Sequence, residues 1–210
     1  MKILAVSDIV LDHLYSPLIR DRFPNVDLVL GCGDLPYYYL EYILTALNVP
    51  LFFVRGNHAN VVEYSAAGAK THPYGGIDLH RRVVCHEGLL IAGIEGCIRY
   101  NNGPFQYTQG EMWENAFYLG SKLLYNRIRY GRYLDILITH ASPWGIHDQP
   151  DRPHQGVKAF NWLLRTFKPR FHFHGHIHIY QAYTQTETDY FQTKVINAYG
   201  AREVEIPNSG

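Results

Sequence analysis

Five short polar clusters punctuate the apolar runs of this chain: Asp8, Gly33-Asp34, Gly56-Asn57-His58, Thr139-His140 and Gly175-His176-Ile177-His178. Together they supply carboxylates, one amide oxygen and several imidazoles, the mixture of donors that suits a pair of divalent ions in a hydrolytic centre. Asp34 is the natural bridge, because a carboxylate has two oxygens that can face different ions. Asp8 and the histidines suit terminal positions, and Asn57 offers a neutral carbonyl oxygen. The glycines at 33, 56 and 175 fit the same picture, since sharp turns and close approach to an ion both need backbone without a side chain.

Each cluster has a plainer reading when taken alone. Asp34 ahead of Leu35-Pro36 could cap a helix, and His140 could be a hydrogen-bonded core histidine. By parity, His172, His174, His176 and His178 would share one face of a strand, with His172 and His174 as support. Five clusters in order, each closing an apolar run, favour the metal reading.

The elements that must position these residues are legible from the pattern. Lys2 to Val6, Val26 to Gly31 and Leu51 to Val54 read as buried strands. Helices are predicted from Tyr15 to Phe23, with Ser16 as cap, and from Pro36 to Asn48. Strand, helix, strand, helix, strand is the order of a parallel sheet, which binds ligands beyond the carboxyl ends of its strands. The stretch from Ala59 to Leu79 reads as loop, and Arg82 to His86 with Leu89 to Ile94 as an antiparallel hairpin. A long helix is expected from about Gln109 to Arg129, a strand from Leu134 to Ile138 and a helix from Val157 to Phe167. The segment from Gln181 to Ile206 suits two or three antiparallel strands.

With 210 residues, 47% hydrophobic and 18% charged, the chain has the make-up of one globular domain spanning 1–210. Its formal net charge is zero, so no nucleic-acid partner is indicated, and no apolar run is long enough for a membrane span. The run at Met1 to Val6 meets Ser7-Asp8 too soon for a signal-peptide core. Cys32, Cys85 and Cys97 form no disulfide pattern; Cys32 and Cys85 read as small buried hydrophobes, and a reduced, cytoplasmic setting is expected. Trp113, Tyr118, Tyr125 and Tyr130 at helical spacing read as core or as a dimer contact, so a homo-oligomer is compatible with the sequence.

These residues resemble the calcineurin-like metallophosphoesterase superfamily, whose blocks read Asp-x-His, Gly-Asp, Gly-Asn-His, a lone His and Gly-His-x-His. Four of the five are intact, and the resemblance runs from Asp8 to His178 and, with the β-rich tail, over essentially the whole chain. It implies an α/β fold, a four-layer α/β/β/α sandwich with two mixed β-sheets. It implies one metal held by Asp8, Asp34 and His178, and a second held by Asp34, Asn57, His140 and His176. His58 would be the acid that stabilises or protonates the leaving oxygen. The implied cofactors are two divalent ions (Mn, Fe or Zn), and the implied reaction is in-line attack on phosphorus by a metal-activated hydroxide. The expected partner is a small phosphorylated substrate, a phosphomonoester or phosphodiester. Arg55, Tyr37, His147 and His154 are candidates to touch it.

The block that departs is the first. Val10 stands where the family has a histidine, and valine ligates nothing. The first site could bind its ion weakly, Asp12 or His13 could loop back to replace the ligand, or the site could be empty. The alternative function is a catalytically weak or inactive scaffold or binding protein of the same fold, as in the retromer subunit of metallophosphatase fold.

Overall fold

A computed structural model describes residues 1–65, 68–181 and 183–206. The first half runs β1 (Lys2–Ser7), α1 (Ile19–Arg22), β2 (Leu28–Gly31), α2 (Tyr37–Leu47) and β3 (Leu51–Phe53). A small hairpin, β4 (Glu63–Ser65) and β5 (Gly68–Lys70), and the short β6 (Gly76–Asp78) follow. The chain continues through β7 (Arg82–His86), β8 (Leu89–Ile94), β9 (Cys97–Ile98), β10 (Gln106–Tyr107) and the long α3 (Gln109–Tyr130). It ends with β11 (Ile136–Thr139), α4 (Lys158–Phe167), β12 (Phe171–His174), β13 (Glu187–Tyr190), β14 (Thr193–Asn197) and β15 (Gly200–Glu205).

Two mixed sheets result. One has the order β15-β1-β2-β3-β6, parallel except where β15 returns antiparallel to β1. The other has the order β13-β14-β12-β11-β8-β7, with a parallel centre and antiparallel edges. Strand alternation sorts the apolar side chains into three layers. Ile3, Ala5, Leu30, Phe52, Ile136, Ile138 and Phe173 fill the space between the sheets. Leu4, Val6 and Val29 point the other way, onto Ile19, Leu40 and Ile43 of α1 and α2. Leu90, Ala92 and Leu137 meet Leu119, Leu123, Phe160 and Leu164 of α3 and α4. The outcome is the four-layer sandwich. Full burial of an aromatic such as Phe52 or Phe173 contributes about 2–3 kcal/mol.

Helix ends follow local rules. Thr108 and Glu111 form a capping box at the start of α3, and Gly131 at φ 73° closes it. Gly120 does not break α3: a Cβ there would lie 3.2 Å from both Phe167 and Trp162, so its absence is what admits the ring-bearing face of α4.

Several expectations are corrected. The helix over 15–23 shrinks to Ile19–Arg22, because Ser16 Oγ accepts from Leu18 N in a turn ahead of it. The stretch 59–79 is not all loop, since β6 extends the first sheet; residues 66 and 67 within it lie outside the described residues. Cys85 is exposed, because β7 is an edge strand. In the tail, β13 and β14 form an antiparallel pair, but β14 also lies parallel to β12 and β15 crosses to the other sheet. No helix among the described residues is long and apolar enough to cross a membrane.

Candidate metal centre

The clusters meet because β1, β2 and β3 of one sheet and β11 and β12 of the other all end on the same side. Each strand is followed at once by a sharp reversal. Asp8, Asp34 and His176 sit at φ 70°, 54° and 67°, in the left-handed region that aspartate and histidine tolerate better than most residues. His176 and His178 therefore belong to a turn beyond β12, not to a continuing strand with His172 and His174.

Asp34, His140 and His176 converge, with one donor atom of each within 4.8 Å of the others. His140 is fully buried, and both of its ring nitrogens face oxygen. Nδ1 is 2.9 Å from the Cys32 carbonyl; Nε2 is 3.1 Å from Asp34 Oδ2 and 3.0 Å from Asn57 Oδ1. Asp34 Oδ1 accepts from the His58 amide at 2.7 Å. Asn57 gives its amide NH2 to the Tyr100 hydroxyl at 3.0 Å, which turns its carbonyl oxygen inward. His176 donates from Nε2 to the Pro153 carbonyl at 2.7 Å and so keeps its Nδ1 lone pair free. Asp8, whose side chain is 1% exposed, accepts the His176 amide at 3.1 and 3.0 Å on its two oxygens, and His178 Nε2 stands 3.9 Å away.

The electrostatics are those of a cation site. Burial raises the Asp8 carboxyl, and Asp34 adds to that, while His140 opposes it. Burial also pushes Asp34 up, but the charge and hydrogen bond of His140 outweigh it and hold the carboxyl at about 2. Conversely, burial pushes His140 down, and Asp34 with Asp8 carries it up to about 9. The protonated ring thus sets one positive charge among these oxygens. A divalent ion would supply that charge with Nε2 as a ligand in place of a proton donor.

The glycines confirm that the cradle is built around these atoms. A Cβ on Gly33 would collide with His140 Nδ1, and one on Gly56 with Asp34 Oδ1. One on Gly175 would collide with Ser7 Oγ and lie 2.6 Å from Asp8 Oδ2. The donor set and the cradle fit divalent metal.

The remaining candidates divide. His58 is exposed at the rim, its backbone tied to Asp34. The His154 ring lies tilted against His176, centroids 5.3 Å apart, and its Nδ1 is 2.6 Å from Asp151. His147 lies in the wall of a cavity of about 560 Å³ that His178 also lines, together with Gln149, Gln181, Gln185 and Thr188. Tyr37 is 2% exposed, and its hydroxyl lies against the Asn60 and Thr71 carbonyls at 2.8 and 3.1 Å, so its ring packs within the fold beside Asp34. The Arg55 guanidinium pairs with Asp78 at 2.7 Å and Glu95 at 3.4 Å, and Nη2 donates to the Thr71 carbonyl. The structure brings neither Asp12 nor His13 to the cluster; Asp12 is exposed and the His13 ring stacks on Phe23. Val10 is at the surface, 36% exposed.

Sequence reasoning missed Tyr100 and a chain of neutral groups behind the last turn. His174 Nδ1 donates to the Gly175 carbonyl at 2.9 Å, which leaves its Nε2 to accept from His147 Nδ1 at 2.8 Å. His147 Nε2 then accepts from the Thr188 hydroxyl at 2.9 Å. The chain runs one way and pins the Gly175 peptide. Burial keeps both imidazoles neutral, His147 at about 4 and His174 well below its ordinary value. Only the shared parity of His172 and His174 hinted at it.

Residues 1–180 match the family described as Calcineurin-like phosphoesterase. Among solved structures, TT1561 of Thermus thermophilus superposes with a TM-score of 0.63 at 16% identity, over 95% of this chain and 89% of that chain. A single mutant of Vps29 from Entamoeba histolytica gives 0.43 at 13%, over 94% and 73%. Vacuolar Protein Sorting 29 from Cryptosporidium parvum gives 0.42 at 13%, over 94% and 72%. No curated protein matches the chain.

Proposed function

The chain belongs to the calcineurin-like phosphoesterase family, and from that premise we propose that it hydrolyses a small phosphoester at a centre of two divalent ions. The observation that carries the reading is His140, its Nε2 set between the oxygens of Asp34 and Asn57 and its tautomer fixed by the Cys32 carbonyl. Asp34, Asn57, His140 and His176 would hold one ion; Asp8, Asp34 and His178 would hold the other. Bound there, the ions supply activation of the attacking water and neutralisation of the phosphoryl oxygens.

The protein's own groups do the rest. The His58 amide fixes the Asp34 carboxylate, and its imidazole stands at the rim, where it can give a proton to the departing oxygen. The cavity beside His178 takes the organic part of the ester. Its lining has amides, hydroxyls, imidazoles and one carboxylate, Asp148, and, among the described residues, no lysine or arginine. That wall suits an uncharged polar group better than a second phosphate.

The test is direct. Purified protein is assayed for metal content, and for turnover of an aryl phosphomonoester and an aryl phosphodiester with added Mn²⁺. His58→Ala is expected to keep its metal and to lose on the order of 10²–10³ in kcat on alkyl esters, and less on p-nitrophenyl esters, whose leaving group needs no proton. Equal losses on both would remove His58 from that role.

Val10 favours a second reading, a binding protein of this fold with an impaired first site. Absence of turnover with any divalent ion, together with a neutral His58→Ala, would establish it over the first.

A further inference from the structure

α3 buries Met112, Ala116, Leu119 and Leu123 against its sheet and α4. Its opposite face is not the polar surface a covering helix ordinarily shows. Phe117, Leu124 and Ile128 are 57%, 56% and 85% exposed, and Tyr118 and Tyr125 beside them 50% and 62%. With Ser121 the stripe falls at 117, 121, 124 and 128, the alternating spacing of a coiled-coil seam. The patch continues into a cavity of about 370 Å³ between α3 and the edge strand β7, walled by Val83, Ser121, Tyr125 and Tyr130. Contiguous exposed apolar surface of this kind marks an interaction site.

The charges choose the occupant. Glu114 is exposed toward one end of the stripe and Arg129 toward the other. Among the described residues Glu114 has no ion pair, and Arg129 contacts only the ring of Tyr130. A parallel neighbour of the same sequence would set like charges together; an antiparallel one sets Glu114 against Arg129 twice. We propose that α3 pairs antiparallel with α3 of a second copy of this chain, about a two-fold axis passing between the two helices at the level of Ser121 and Leu124. In that register Phe117 meets Ile128 of the partner subunit, and small Ser121 receives Leu124 of the partner subunit. Glu114 then comes within reach of Arg129 of the partner subunit. The contact is self-complementary and closed, so it stops at a dimer.

Sedimentation velocity on the full chain tests this, with reductant present because Cys85 is exposed. The protein is expected to sediment as a dimer. Leu124→Glu and Ile128→Glu, both at exposed positions, raise the dimer Kd by on the order of 100-fold or more with unchanged circular dichroism and melting. Glu114→Arg and Arg129→Glu each weaken the dimer, and the double variant restores it. A monomer at high micromolar concentration overturns the proposal and leaves the face to a different protein. A dimer indifferent to Leu124→Glu and Ile128→Glu also overturns it. Dissociation without rescue by the charge swap overturns the antiparallel register. None of these readouts depends on phosphoester hydrolysis.

Discussion

Asp34→Asn is expected to lose most of its bound metal and roughly 10³-fold or more in turnover. Asparagine has nearly the same shape, tolerates the left-handed backbone at φ 54°, and can still accept the His58 amide. What disappears is the charge. In metal-free protein that charge, against the opposing effect of burial, lifts His140 to about 9. Without it only Asp8 and the Cys32 carbonyl oppose burial, and the His140 imidazole is expected to titrate below about 9. Metal analysis after gel filtration reads the first effect, and NMR titration of His140 in chelator reads the second. Retained metal with retained turnover would remove Asp34 from the bridging position. The sign of the linkage is also fixed for wild type. His140 is raised above its unfolded value, so its stabilisation of the metal-free fold is complete below about 6.5 and is lost as pH rises through about 9.

The second large effect has the opposite sign. Burial depresses His172 and His176 to about 3, His147 to about 4, and His174 well below its ordinary value. All four are neutral in the fold and protonate on unfolding once pH falls below about 6.5, so the unfolded chain binds more protons and stability falls. Each proton taken up costs about 1.4 kcal/mol per pH unit. His172 is the least adaptable. Thr139 gives its hydroxyl proton to the Ala141 carbonyl, so His172 Nε2 must donate to Thr139 Oγ1, and Nδ1 is left buried without a partner among the described residues. The raised Asp8 carboxyl offsets part of the uptake, because it holds a proton longer in the fold. In chelator, the urea midpoint is expected to drop steeply from pH 7 to pH 5, with a slope equivalent to two protons or more. A flat midpoint over that range would mean that these histidines are solvated.

Much of the site was legible because its ligands end apolar runs. Leu28 to Gly31 is buried end to end, and a buried strand announces where it stops. The same holds for Ile136 to Thr139 ahead of His140. The partners that decide each side chain's role were not legible, since they come from distant sequence. Arg55 looked available beside Gly56, yet Asp78 and Glu95, remote in the chain, neutralise it. Tyr37 comes three residues after Asp34 but turns into the fold because the carbonyls of Asn60 and Thr71 wait there. Tyr100 orients Asn57 from 43 residues away. Strands of two or three residues, such as β6, β9 and β10, carry too little pattern to be read at all. The exposed Cys85 shows the same limit, because apolar composition does not distinguish an edge strand from a central one.

The reversed backbone at Asp8, Asp34 and His176 has a consequence for anyone evolving this protein. At φ 70°, 54° and 67° a side chain costs about 1 kcal/mol relative to glycine, and two of the three bring buried carboxylates that repel each other. Thermal resistance and ion capture therefore compete at codons 8 and 176, whereas Asp34, held at about 2 by its pairing with His140, contributes stability at neutral pH. A library screened for heat tolerance alone is expected to enrich glycine or asparagine at 8 and 176 and to keep Asp34. Sequencing the survivors decides it: parental residues persisting at 8 and 176 would show that the hydrogen bonds of the turns outweigh their strain.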